Sequence, residues 1–191
     1  AIGYARSKGT KLVSLNTRVK RPGLYEVPFG TTLRHIIFDL AGGMIDGHQF
    51  KGVQIGGPLG GILPEAALDT PLDFEAVAAQ GGIVGHAGMV VYSDQDDLMK
   101  IGRGLMHFCA IESCGKCCPC RSGSVRGTGL SDQMLAGGVV DGRVELLDDL
   151  CDTMEVGSLC AMGSMTPAPI RSLLRHFRDD VDRYRKDGDA S

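Results

Sequence analysis

Between Glu112 and Gly123 the chain reads ESCGKCCPCRSG, and four of its seven cysteines fall inside that stretch. Glycine, lysine, serine and proline fill the gaps, so the segment cannot form a core of its own. So many thiols in so short a space must be cross-linked or wrapped around something. An odd number of cysteines, and a start, AIGYARSKGT, without the charged-then-apolar layout of a secretory signal, argue for a reducing compartment. A disulfide framework is therefore disfavoured, and metal or cluster chemistry comes to the front.

Cys114, Cys117 and Cys120 are spaced C-x2-C-x2-C. That spacing lets one short loop offer three thiolates to three iron corners of a cuboidal 4Fe-4S core. The fourth thiolate has to come from elsewhere. Cys160, in GSLCAMG, is the candidate, because small residues there let the backbone approach a bulky group. Gly115 and Gly123 are expected to supply the dihedrals of the wrap, Pro119 to remove an amide in need of a partner, and Lys116 and Arg121 to offset thiolate charge. Three other arrangements use the same residues. Structural zinc usually takes two C-x2-C knuckles, and Cys151 with Cys160 does not make a second one. A plant-type 2Fe-2S site could use Cys109, Cys114 and Cys117 with a remote Cys151 or Cys160. A metal-free redox thiol cluster is the third. Cys109 and Cys151 fall in register with apolar helix stripes and read as core thiols. Cys118 reads as a spare thiol turned away from the wrap.

The rest of the chain divides into two textures. Glycine, 28 of 191 residues, is about twice as frequent as the usual 7% or so, and 16 of the 28 lie before residue 100. There the period-two run Val13, Leu15, Thr17, Val19, a turn at Pro22-Gly23 and the run Leu24–Val27 predict a hairpin. TTLRHIIFDLAGG predicts a short helix with Leu33, Ile36, Ile37 and Leu40 inward, Thr31 or Thr32 as its cap and Gly42 left-handed at its end. FKGVQIGG and GMVVYS add two strands. The order strand, strand, helix, strand, strand predicts a β-grasp-like domain over residues 1–94. From 95 to 191 the periodicity is helical: Leu98, Ile101, Leu105, Phe108, Cys109; then Val144, Leu147, Leu150, Cys151, Met154. A last stripe runs Ile170, Leu173, Leu174, Phe177, Val181, Tyr184, opened by Thr166 as cap and Pro167. With a further helix between Val125 and Ala136, these segments predict a small bundle, and the fold class is α+β.

ESCGKCCPCRSGSVRG followed by SLCAMG resembles the flavin-containing NADH-dehydrogenase subunit of respiratory complex I and its relatives, the diaphorase subunits of NAD-reducing hydrogenases and of soluble NAD-dependent formate dehydrogenases. RPGLYEVPFGTTLRHIIFDLAGG and VQIGGPLGGILP resemble that family's SLBB β-grasp domain, so the likeness covers nearly the whole chain. The ending AMGSMTPAPIRSLLRHFRDDV looks most like the formate dehydrogenase beta subunits. The resemblance implies a 4Fe-4S cluster on Cys114, Cys117, Cys120 and Cys160 that takes electrons from a flavin. It also implies FMN and NAD bound only on a missing upstream Rossmann-like domain, so that this chain alone would not oxidise NADH. The implied partners are that flavin domain and the iron-sulfur subunits of the complex, in a cytoplasmic setting, soluble or peripheral to the inner face of the membrane.

The remaining motifs read plainly. A net charge of −3 with scattered lysines and arginines excludes nucleic acid as an expected partner. No run approaches the roughly 18 apolar residues of a transmembrane helix. GGPLGGILPE could nest an anion, but no G-K-S/T ending follows, so it reads as a structural β-grasp loop or a contact with the flavin domain. GRGLMH, the nearest approach to a dinucleotide fingerprint, reads as mid-helix. The acid pairs Asp96-Asp97, Asp148-Asp149 and Asp179-Asp180 read as solvated faces, and His107 as a partly buried helix residue.

Overall fold

The computed structural model describes residues 2–139 and 141–185. They form two compact units, one ending at Asp96 and one opening at Asp97.

In the first unit a small ribbon pairs β1 (Gly3–Tyr4) with β2 (Ser7–Lys8), ahead of a five-stranded sheet. The sheet contains β3 (Thr10–Leu15), β4 (Gly23–Pro28), β5 (Phe50–Ile55), β6 (Ile62–Pro64) and β7 (Gly88–Ser93), in the order β4-β3-β7-β5-β6. β3 and β7 run parallel, while the other pairings are antiparallel. A parallel pair needs a crossover, and the chain between β4 and β5 supplies its helical layer. This is the β-grasp arrangement. The predicted hairpin is real but shorter, because β3 ends at Leu15, opposite Gly23, and Val19 instead bridges to Met44.

The crossing segment His35–Leu40 is π-helical rather than α-helical. Its five-residue bonding is seen from Ala41 N–H to Ile36 O, and Gly43 N–H closes the end of the segment on Ile37 O. Thr32 Oγ1 accepts the His35 N–H at 3.2 Å, and Gly42 is left-handed at φ +79°, as the sequence anticipates. Leu33, Ile36 and Ile37 are fully buried against Val13, Val53, Ile55 and Val91 from the sheet, each burial being worth about 1.5–3 kcal/mol. A further helix, α1 (Phe74–Ala79), is capped by Asp73, which accepts from Ala76 N–H at 2.9 Å.

The second unit is helical: α2 (Leu98–Glu112), α3 (Cys118–Leu135), α4 (Asp141–Gly157), α5 (Ala161–Met165), α6 (Ala168–His176) and α7 (Arg178–Asp182). α2 packs on α3 and α6, and α3 packs on α4. Small residues set these distances. A Cβ at Gly127 would meet Met106 Sδ at 3.1 Å, and one at Gly123 would meet Met154 Sδ at 2.7 Å.

Several local expectations change. On α2 the buried face is Leu98, Met99, Gly102, Met106 and Cys109, so Phe108 faces solvent and His107 is exposed rather than partly buried. The last stripe is not one helix: Phe177, at φ −132°, breaks it into α6 and α7, which lets Phe177 and Val181 both reach the core. Thr166 does not cap α6 but donates its hydroxyl to Met162 O at 2.6 Å. Asp148-Asp149 is exposed as expected, but the other two acid pairs are more structural. Asp97 is the N-cap of α2, accepting Lys100 N–H at 3.2 Å, and the buried Asp180 accepts Leu98 N–H at 3.0 Å. Asp96 accepts Ser93 N–H at 2.7 Å.

Burial alone would raise the Asp97 carboxyl, but the Tyr184 hydroxyl, the Lys100 N–H and the Lys100 and Arg183 cations outweigh it and hold it below the usual range. The folded unit therefore binds this proton less tightly than the unfolded chain does. The cap's contribution is present above the unfolded carboxylate pKa of about 3.9 and is lost as the pH falls through the lower folded value. Asp97→Ala should cost about 1 kcal/mol at neutral pH and flatten the acid limb of stability. Urea unfolding at neutral and acidic pH would check this; an unchanged acid limb would remove Asp97 from the account.

Candidate metal centre

The cysteine stretch is not a free loop. α2 stops at Glu112, Ser113 turns extended, Gly115 takes φ +75°, and the chain re-enters a helix with Cys117 as N-cap. Cys118 and Cys120 thus lie in the first turn of α3, which begins well before the predicted helix at Val125. Pro119 sits at the N-terminal end of α3, where a missing N–H costs nothing. Gly115 supplies the left-handed turn as expected. Gly123 does not: it is helical, and its lack of a side chain serves the contact with Met154.

Cys160 is likewise an N-cap, of α5, following the short link after α4. The link and α5 lie directly on the start of α3. A Cβ at Gly163 would come within 2.6 Å of Ser158 Cβ and 2.8 Å of Cys120 Cβ, and one at Gly157 would come within 3.0 Å of Pro119 Cγ. Gly163 has no space to become alanine without separating the two segments, and at Gly157 the proline ring would have to give by a few tenths of an ångström. Packing therefore brings the Cys160 segment against the start of α3, where Cys117 and Cys120 lie, and Cys114 sits in the turn that Ser113 stabilises. Ser113 Oγ accepts the Gly115 N–H at 3.2 Å and lies 3.3 Å from Cys120 Sγ.

Exposure differs among these thiols: Cys120 is buried, Cys117 half-buried, and Cys114 and Cys160 exposed. The Leu159 N–H, then the Cys120 N–H, with further help from the Ser158 hydroxyl, hold the Cys117 thiol below its ordinary range against a smaller opposing effect of burial. The remaining cysteines behave differently. Burial pushes Cys151 up to about 12, and it also raises Cys109, against the Thr166 hydroxyl. Both are fully buried core thiols, as their register predicts. Cys118 is exposed and its sulfur approaches Ser122 Oγ at 3.6 Å, along its own helix. Lys116 and Arg121 are exposed.

Among the described residues, no three histidine, cysteine or carboxylate side chains are gathered tightly enough for a single metal ion. Four thiolates around one zinc, each about 2.3 Å from it, would lie only about 3.8 Å apart. A cuboidal centre spreads its thiolates more widely. Two observations fit a body of that kind. The small-residue cradle at Gly157 and Gly163 brings the backbone close, and Ser158 Oγ is buried without a hydrogen-bond partner of ordinary geometry. Ser113, Ser158 and the two cradle glycines were not singled out by spacing. The only sequence signal for them was the run of small residues around Cys160.

Residues 18–63 match the SLBB domain, and residues 100–184 match the NADH-ubiquinone oxidoreductase-F iron-sulfur binding region. The NADP-reducing hydrogenase subunit HndC of Solidesulfovibrio fructosivorans is 39% identical over 97% of this chain, which spans 38% of that protein. The F subunit of the NADH-quinone oxidoreductase of Escherichia coli is 37% identical over 95% of this chain, which spans 41% of it. A chain of the NAD+-reducing NiFe hydrogenase in the H2-reduced state superposes with a TM-score of 0.87 at 29% identity, over 98% of this chain and 32% of that one. The chain thus spans about two fifths of the length of the curated relatives it matches.

Gly163→Ala should force the α5 segment off the start of α3 and lower iron bound per chain several-fold. Gly129→Ala, whose Cβ would meet nothing within 4 Å, should leave loading unchanged. Iron and sulfide assays with circular dichroism on both variants would check this, and equal loading would dismiss the cradle.

Proposed function

We propose that this chain, which carries an SLBB domain and the iron-sulfur binding region of the NADH-ubiquinone oxidoreductase-F family, relays single electrons through one 4Fe-4S cluster in an NAD(H)-linked oxidoreductase. The ligands are Cys114, Cys117, Cys120 and Cys160. One observation carries this choice: the segment bearing Cys160 is packed on the helix start bearing Cys117 and Cys120, with no room at Gly163 for a single methyl group. When bound, the cluster supplies a one-electron store at low reorganisation cost.

The chain's own residues do the rest. Ser113 and Gly115 shape the turn, α3 and α5 present their N-caps, and the Leu159 and Cys120 N–H groups favour the thiolate form of Cys117. Cys109 argues against the 2Fe-2S alternative, since it is buried in the α2 face and its thiolate is disfavoured. The open donor set argues against zinc.

FMN and NAD(H) are assigned to the portion of the longer relatives that this chain does not span, and that flavin domain, with neighbouring iron-sulfur subunits, is the assigned redox partner. Among the described residues no helix is long and apolar enough to cross a membrane; placement in the cytoplasm or at the inner face of the membrane is assigned on the family resemblance. The formate dehydrogenase type is assigned on the resemblance of the ending AMGSMTPAPIRSLLRHFRDDV. The relatives named above are hydrogenase and quinone oxidoreductase subunits, so the test of substrate is the identity of the subunit that co-purifies.

Anaerobically purified chain should contain about four irons and four sulfides and should not oxidise NADH by itself. Cys160→Ser should abolish the cluster, and Cys109→Ser and Cys151→Ser should retain it. About two irons, lost on Cys109→Ser, would select the 2Fe-2S arrangement instead; metal without sulfide would select zinc.

A further inference from the structure

We propose that the hydroxyl of Ser113 donates a hydrogen bond to Cys120 Sγ, that the buried hydroxyl of Ser158 donates to a ligand sulfur at the start of α3, and that both thereby raise the reduction potential of the cluster those sulfurs hold. The inference rests on the ligand assignment above and goes beyond it.

Ser113 is the more direct case. Its oxygen already accepts the Gly115 N–H at 3.2 Å, so its acceptor side is engaged and its proton is available elsewhere. Cys120 Sγ lies 3.3 Å away. Either atom could donate while Cys120 is a thiol; once Cys120 is a ligand thiolate it has no proton, and only the hydroxyl can donate. Taking the Gly115 N–H also polarises the hydroxyl and makes it a better donor.

Ser158, in the link after α4, is the second case. Its Oγ is buried without an ordinary partner, and its side chain is pinned over Gly163 beside Cys120. Buried hydroxyls without a partner are rare and call for an explanation. A ligand sulfur at the start of α3 is the acceptor that this orphaned hydroxyl lacks.

The sign of the effect follows from charge. Reduction adds one electron to the cluster, with no bond made or broken. Each O–H dipole directed at a ligand sulfur stabilises the more negative, reduced state, so the potential rises with each donor. The two serines lie on segments far apart in the chain.

The test uses the chain loaded anaerobically with iron and sulfide, with Ser113→Ala, Ser158→Ala and the corresponding threonine variants. Redox potentiometry followed by electron paramagnetic resonance reads the effect. Each loaded alanine variant should shift the one-electron equilibrium roughly tenfold toward the oxidised state, a potential lower by about 59 mV. The threonine variants, which keep the hydroxyl, should stay near wild type. Exchangeable-proton couplings to the reduced cluster should diminish in the alanine variants. Alanine variants that carry full iron and sulfide at the wild-type potential would overturn the inference and leave the ligand assignment intact. A wild-type chain that binds no cluster would overturn the ligand assignment itself. Should Ser158→Ala fail to load, Ser113→Ala decides, since Ser113 is not part of the packed cradle.

Discussion

The contact between the start of α5 and the start of α3 is the constraint on which the rest of the helical unit depends. It is an approach closer than a side chain allows at Gly163 and a tight one at Gly157. Because of it, two N-cap cysteines from distant parts of the chain share one neighbourhood, with the Leu159 and Cys120 N–H groups turned toward Cys117. Such donors suit a sulfur ligand, because a thiolate is a diffuse anion that several weak donors can stabilise together.

Holding that contact requires α3 to be fixed along its length, and the bundle does this with small residues set against large ones. Gly102 receives Leu173, Gly127 receives Met106, and Gly123 receives Met154. Each pair fixes a helix separation, and overpacking any of them would cost roughly 1–3 kcal/mol. At the far end α2 is anchored by Asp97 and Asp180, which take its first free N–H groups. The helix that leads into Ser113 is thus pinned at its start, and the position of the cysteine turn follows from it.

Much of this was legible in the residues alone. The stripe Val144, Leu147, Cys151, Met154 is buried as its period requires, and β5 and β7 lie where FKGVQIGG and GMVVYS placed them. The start of α3 was not legible, because glycine, serine and a proline-cysteine opening have poor helix propensity, and tertiary packing overrides it. The inward face of α2 was misjudged by about one position because Gly102 and Met106 carry it, and a hydrophobic count gives glycine no weight. The acid pairs were read as solvent faces since a capping role depends on which backbone N–H groups lie nearby. The part played by Ser158 depends on a neighbour far along the chain, and one sequence contains no trace of that distance. The ligand spacing C-x2-C-x2-C, by contrast, is a local property and could be read directly.

The uneven covering of the four thiols has a practical result. Cys120 lies in the dry interior, whereas Cys114 and Cys160 face outward. Any inorganic centre they hold would have one insulated side and one open window. Electron hopping falls off steeply with separation, so traffic would favour that window, and a partner seated over it would serve as both conductor and cover. Dioxygen could enter by the same opening, so a loaded chain without such a cover would be open to oxidation.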